Sequence, residues 1–235
     1  MVLRSENPQR RATAPDLPEI VATAVALADR QGLEAVSLRR VATALRSGTA
    51  SFYRVLDSRN ALVDHMVDTV LGQHLPPEPS GGWRARLAAL ARNRRAMICA
   101  HPWLGTELAG RPAIGPNALI HHERALAAAS AYADDPTAAS SAVETVLAYV
   151  LGATARELAE VRTRLLSGLT QEQWRDNVAP YLQQALNTGS YPHLARMVHM
   201  AADLDADERF ERGLACILAG LAQMLQQLTA QAACD

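Results

Sequence analysis

Ser37-Leu38-Arg39-Arg40-Val41-Ala42-Thr43-Ala44-Leu45-Arg46-Ser47-Gly48-Thr49-Ala50-Ser51-Phe52-Tyr53-Arg54-Val55-Leu56 is the stretch whose reading decides the fold. Ser37 has a side chain suited to cap a helix, and Leu38, Val41, Ala42 and Leu45 follow at helical spacing. A tight connection comes next, and Gly48 or Thr49 opens a second, very short helix through Val55. Two short helices joined in this way fit a helix-turn-helix. The second helix of such a motif has to be short, exposed on one side and small at its N-terminal end. It can then enter a major groove about 12 Å wide and bring side chains to the base edges. Thr49, Ala50 and Ser51 are small there. Phe52 and Leu56 can anchor an inner face, which leaves Thr49, Ala50, Tyr53 and Arg54 outward.

The charges around this stretch agree. Arg39, Arg40, Arg46, Arg54 and Arg59 stand against one acid, Asp57, between Val36 and Leu62. Such a patch displaces counterions from a phosphate backbone. Ser37 would present first-turn amides to a phosphate, Arg39 and Arg40 would reach the backbone, and Arg59 could clamp a phosphate from the next helix. The net charge of the whole chain is only −1, so the basic signal is local.

Working outward, residues 1–15 are a polar arm with Arg4, Arg10 and Arg11. Asp16-Leu17-Pro18-Glu19 has the spacing of a helix start, and Leu17, Ile20, Val21, Ala24, Leu27 and Ala28 recur at helical period up to Gly32. Ser58 starts a further helix with Leu62, Met66, Val70 and Leu71 inward, ending near His74. Pro76-Pro77-Glu78-Pro79-Ser80-Gly81-Gly82 is the strongest breaker cluster of the chain. Beyond it, helical patterns run from Trp83 to about Ala100, from Gly115-Pro116 to Tyr132, and from Asp134-Asp135-Pro136 to about Arg164. Further ones run near 171–188 behind Thr170, after Pro192, and from about Asp207 to Ala232. No alternating run is long enough for a strand.

The fold class is therefore all-α: an N-terminal three-helix helix-turn-helix domain over residues 16–75, closed by the Ser58 helix, then a larger helical domain over 82–232. Composition fits, because 49 % of residues are apolar but only 4 % aromatic, which suits close-packed helices better than strands. All 23 basic side chains are arginine. Cys99, Cys216 and Cys234 match no metal or redox spacing and read as reduced, mostly buried thiols. No signal peptide and no uninterrupted apolar span of about 20 residues is seen, so a cytoplasmic protein without a membrane partner is expected.

Three blocks of this sequence resemble the signature of the tetracycline-repressor family: Ser37-Leu38-Arg39-Arg40-Val41-Ala42, Gly48-Thr49-Ala50-Ser51-Phe52-Tyr53-Arg54, and Ser58-Arg59-Asn60-Ala61-Leu62. Gly32-Leu33-Glu34 precedes them at the family spacing. The resemblance covers residues 17–74 and implies that Arg39, Thr49, Ala50, Ser51, Tyr53 and Arg59 stand where the family contacts DNA. The chain departs from the pattern at Leu45-Arg46-Ser47, where the family usually carries Leu-Gly-Val, and at Val55, which replaces a frequent histidine.

His101-Pro102-Trp103, Gly110 to Asn117, and Phe210 to Leu221 resemble the family's C-terminal domain. That implies a homodimer in which helices near 138–164 and 207–232 form a four-helix bundle with their copies. Leu214, Ile217, Leu218, Leu221, Met224, Leu225 and Leu228 make a stripe wide enough for it, with Ala215, Ala219, Gly220 and Ala222 allowing close approach. A small-molecule inducer would bind in this domain, with His74, Trp103, Glu107, Asn117, His121, Tyr149 and Arg156 as candidate lining groups. Glu107 falls where the tetracycline repressor has a metal-binding histidine, so the resemblance does not extend to a metal-chelated drug. His121 and His122 point about 100° apart on a helix and do not share an ion. No metal, cofactor or catalytic motif is read here.

The expected function is ligand-responsive DNA-binding regulation: a repressor released from a palindromic double-stranded DNA operator by an inducer of unknown identity. The alternative is a dimeric helical interaction protein of the same fold that has lost specific operator binding.

Overall fold

The computed structural model describes residues 15–78, 80–110 and 113–232. Among these there are helices and turns and no strand: α1 (Leu17–Gln31), α2 (Leu38–Ala44), α3 (Arg59–Gln73), α4 (Trp83–Ala100), α5 (Leu104–Gly110), α6 (Pro116–Ala129), α7 (Pro136–Ser167), α8 (Gln171–Leu186), α9 (Pro192–Met200) and α10 (Ala206–Ala232). Short 3-10 turns cover Leu33–Ala35 and Thr49–Arg54. The arm arginines Arg4, Arg10 and Arg11, the Arg111-Pro112 pair and Cys234 lie outside the described residues.

The chain divides into two compact units; one break falls at the start of the proline-rich breaker cluster, between Leu75 and Pro76, but the division is not a single cut. The first unit takes residues up to Leu75 together with Ala100–His121, and the second takes Pro76–Cys99 and everything from His122 onward.

In the first unit α1 packs against both α2 and α3. Its interior holds Ile20, Ala24 and Leu27 of α1, Val36, Val41, Phe52, and Leu62, Met66, Val70 and Leu71 of α3. The helix starts follow from their caps. Asp16 accepts from the Glu19 amide at 2.9 Å, Ser37 from Arg40 at 3.2 Å and Ser58 from Ala61 at 3.1 Å. Each satisfies an amide that the first turn leaves without an intrahelical partner.

The glycine missing from the turn is replaced by strain rather than by a different turn. Arg46 adopts φ 51°, in the left-handed region. Its amide donates to Thr43 at 3.1 Å, and Ser47 N donates to Ala42 at 2.9 Å, the paired bonds with which helices often end. A β-carbon there is costly, so Arg46→Gly is expected to raise stability by about 1 kcal/mol. Calorimetry should then show a melting temperature a few degrees higher. An unchanged or lower value would mean that the arginine side chain offsets the strain.

Residues 100–121 add α5, which periodicity did not reveal, and the start of α6. Asp68 of α3 caps α6 from outside. Its Oδ1 accepts the Asn117 and Ala118 amides at 3.0 Å each, and its Oδ2 accepts Asn117 Nδ2 at 3.0 Å. Two glycines permit the approach. A β-carbon on Gly115 would lie 2.3 Å from Asp68 Oδ1, and one on Gly72 would lie 2.8 Å from the Asn117 side chain.

In the second unit the long α7 packs against α10, and α8 against α9. Asp135 caps α7 through the Thr137 and Ala138 amides, and the helix stops where Gly168 turns left-handed at φ 68°. Thr170 and Gln173 form a reciprocal capping box at the start of α8. By length and composition α7 could cross a membrane. Its buried face of Ala139, Ala142, Val143, Val146, Val150 and Thr154 is what a core helix needs. Two arginines of α4 tie the unit together. Arg92 makes two 2.7 Å bonds to Glu211, while Arg95 reaches Glu157 at 2.9 Å and Asp207 at 2.7 Å. Helix α6 ends at Ala129 rather than Tyr132, whose hydroxyl donates to Leu221 O at 3.1 Å. Cys99 is half-buried and Cys216 exposed, so the expectation of mostly buried thiols does not hold for Cys216.

Candidate nucleic-acid interface and ligand groups

The expected reading helix is a single 3-10 segment over Thr49–Arg54. In this geometry residues i and i+3 eclipse, and the rise is about 2 Å per residue. One line therefore carries Thr49 and Phe52, so Thr49 turns inward where an outward side chain was expected, and the backbone turns Tyr53 and Arg54 the other way. Phe52 is fully buried and Leu56 nearly so, while Tyr53 is 63 % exposed. Arg54 is exposed and Thr49 half-buried. The side chains of Ala50 and Ser51 lie outside the described ones.

Helix α2 sets the surrounding charge. Arg39 is exposed and its side chain has no partner among the described residues, so its guanidinium is free to meet an anion. Arg40 is exposed but gives one Nη2 bond to Gln31 at 2.5 Å, which steadies it. The Ser37 hydroxyl occupies the Arg40 amide, leaving the Leu38 and Arg39 amides as the first-turn donors. Arg59 requires a correction. Its Nε donates to Val36 O and its Nη2 to Leu33 O, both at 2.9 Å, so the guanidinium braces the segment before α2 instead of standing free as a clamp. Nothing in the sequence pairs Arg59 with carbonyls more than twenty residues earlier.

The seven candidate ligand groups do not form one cluster. Five of them lie in the first unit, and most are held by their own unit. Trp103 is buried and donates to Asp29 Oδ1 at 2.8 Å, Asn117 belongs to the Asp68 cap, and His121 Nε2 meets Leu71 O at 2.8 Å. His74 Nε2 lies 3.3 Å from His101 Nε2, and Glu107 is half-buried on α5. In the second unit Tyr149 donates to Phe210 O at 2.7 Å, and a β-carbon on Gly213 would meet that hydroxyl at 2.3 Å. Arg156 is exposed and pairs with Glu160 at 3.1 Å. Tyr149 and Arg156 do line one groove between α7 and α10, with Gly152, Ala153 and Phe210. No group of three or more potential metal ligands occurs among the described residues.

His74, His101 and Asp29 form a chain that periodicity could not show. His101 Nδ1 faces Asp29 Oδ1 at 2.8 Å, while its other nitrogen faces His74. Burial, and then the neighbouring His101, hold the His74 pKa below the usual histidine value. The unfolded chain therefore binds that proton more readily. The His74 contribution to stability is fully present above about pH 6.5 and is lost as pH falls below it. Urea midpoints are expected to drop between pH 8 and pH 5, and His74→Gln should flatten that drop. An equal drop in the variant would assign the effect to other groups.

The model of the tetracycline-repressor-like C-terminal domain matches residues 75–225. The HTH-type transcriptional repressor DrrR1 of Streptomyces coeruleorubidus is 36 % identical over 220 residues, covering 92 % of this chain and 81 % of that protein. An HTH-type transcriptional regulator of Saccharopolyspora erythraea is 32 % identical over 224 residues, covering 93 % and 89 %. Among solved structures, apo ActR from Streptomyces coelicolor superposes with a TM-score of 0.77 at 28 % identity, over 92 % of this chain and 99 % of that one. The shared domain model, the length of the matches and the helix-turn-helix geometry agree: the chain belongs to the tetracycline-repressor family of transcriptional regulators.

Proposed function

We propose that the chain is a cytoplasmic repressor that binds a palindromic DNA operator as a homodimer and leaves it when a small molecule occupies the second unit. The observation that carries this reading is the exposed Tyr53 and Arg54 face, set on a fully buried Phe52 and flanked by the free Arg39. Phe52 fixes the segment in the unit's core, so the outer side chains are positioned without ordering a loop on binding. Tyr53 meets base edges, while Arg39, Arg40, Arg54 and the α2 amides meet phosphates. DrrR1 is named a repressor, and ActR has been crystallised with actinorhodin and with (S)-DNPA, which supports ligand control of a protein this similar.

The surface of α10 supports the dimer. Ala215, Cys216, Ala219, Gly220 and Met224 are exposed on α10, a row of mainly small residues suited to a second helix pair. A β-carbon on Gly220 meets nothing within 4 Å in the single chain. Gly220→Glu is therefore expected to leave the fold intact while sedimentation shows the dimer dissociating. A variant that stays dimeric would move the interface elsewhere.

The test of function is fluorescence anisotropy on DNA from upstream of the protein's own gene, against scrambled DNA, over a salt series. A dimer-stoichiometric complex favouring the palindrome by about 10³-fold or more supports the reading. Weak binding to both probes that salt erases favours an interaction protein that has lost its operator. Against that second reading, the turn keeps the paired helix-ending bonds despite Arg46.

A further inference from the structure

We infer that the second unit binds an apolar organic anion whose charged group seats on the guanidinium of Arg94; this rests on the ligand-responsive reading and names the chemistry of its ligand. Helix α4 carries five arginines, Arg84, Arg86, Arg92, Arg94 and Arg95. Four of them are accounted for. Arg84 lies over the Trp83 ring at 4.9 Å, and Arg86 donates to the Gly81 carbonyl at 2.7 Å. Arg92 is paired twice with Glu211, and Arg95 binds Glu157 and Asp207 while covering the Phe210 ring at 4.6 Å.

Arg94 differs in both position and partners. One turn before it are Leu90 and Ala91, one turn after it Met97 and Ile98, and Leu87 lies two turns before, all buried. It therefore stands in the middle of the inward stripe of α4, where a leucine would complete the pattern. Its Nε is shut off from solvent and has no hydrogen-bond partner. No ion pair or ring contact reaches the side chain among the described residues. The residue as a whole is half-buried, so the rest of the group is still accessible.

A guanidinium in such a place is unfavourable by itself, because burial strips its hydration without supplying an acceptor. Desolvation draws its pKa down to about 10, which still leaves it charged at neutral pH. Arginine does not escape the cost by losing its proton, and an anion on the accessible side of the group would meet both the charge and the unpaired Nε. Its planar fork matches a carboxylate or sulfonate through two parallel bonds. The neighbours along the stripe offer carbon and a thioether, so the remainder of the ligand is apolar.

The test uses the full-length protein with two dyes that share their rings. 8-Anilinonaphthalene-1-sulfonate carries one anionic group, and N-phenyl-1-naphthylamine lacks it. Fluorescence titration is expected to show saturable binding of one sulfonate per chain, about 10-fold or more tighter than the neutral dye. Arg94→Met should lose that advantage and leave the neutral dye unaffected, while Arg94→Lys keeps part of it. Without ligand, Arg94→Met should also melt at a higher temperature, since an unpaired buried charge is replaced by carbon. Absence of saturable sulfonate binding, equal affinities in wild type and Arg94→Met, or a sharp fall in melting temperature would each overturn the assignment. Operator anisotropy on the same samples separates the two claims. Wild-type protein that binds its operator but fails the dye test loses only the anion site, whereas failure to bind DNA removes the regulator reading.

Discussion

Tyr53→Ala and Arg39→Ala should each abolish or cripple specific operator binding while circular dichroism and melting temperature stay at wild-type values. Both side chains are exposed, and neither completes the core. A specific contact contributes about 1–3 kcal/mol, and a dimer on two half-sites loses it twice. The combined loss of about 2–6 kcal/mol corresponds to roughly 30-fold to 10⁴-fold in affinity. The two variants should differ in kind. Removing Arg39 takes away a phosphate contact per protomer, so binding weakens on every sequence and the salt slope falls by about 2. Removing Tyr53 should erode the preference for the operator over scrambled DNA and leave the slope almost unchanged. If both variants keep wild-type specific affinity, the exposed face of the Thr49–Arg54 segment is not the reading surface.

The second large effect concerns the joint between α3 and α6. Asp68→Ala removes the acceptor of three hydrogen bonds and leaves the first turn of α6 uncapped. The expected cost is about 2–4 kcal/mol, from one lost cap and the stranding of part-buried donors. For a chain of this size that lowers the melting temperature by about 5–12 °C. Gly115→Ala should do similar damage by another route, because its β-carbon would stand 2.3 Å from the same carboxylate oxygen. The two changes attack one contact, so the double variant should fall short of the sum by about 1 kcal/mol or more. Urea unfolding of the wild type, the two single variants and the double variant measures this. Strict additivity would mean that the glycine and the carboxylate act independently.

Much of the architecture was legible in local chemistry. Ser37, Ser58, Asp135 and Thr170 all cap the helices they were expected to open, because a short side-chain oxygen meets an amide three residues on or fewer. The inward stripe of α3 and the anchoring by Phe52 were written in spacing, since burial on a helix repeats every three or four residues. The family's turn was harder to read. With Arg46 where a glycine is usual, the sequence suggested a departure. The paired helix-ending bonds hold the left-handed residue in place and keep the turn.

The candidate site was legible only where side chains face outward from their own helix. Tyr53, Arg54 and Arg39 could be read as exposed, because exposure on a short helix follows mainly from neighbours in sequence. The ligand candidates could not, because polar groups such as Trp103, Asn117 and His121 find partners on distant helices, and no spacing rule encodes those distances. Arg94 was visible in principle as a charge in an apolar stripe, but a sequence does not show whether such a charge has a partner. The sequence by itself determined most of the helices, their caps and the exposure of Tyr53, Arg54 and Arg39, since these depend on contacts within a few residues. Tertiary structure alone decided that Ala100–His121 joins the first unit, that Arg59 is a brace and that Arg94 lacks a counter-charge, because each depends on what long-range packing places beside it.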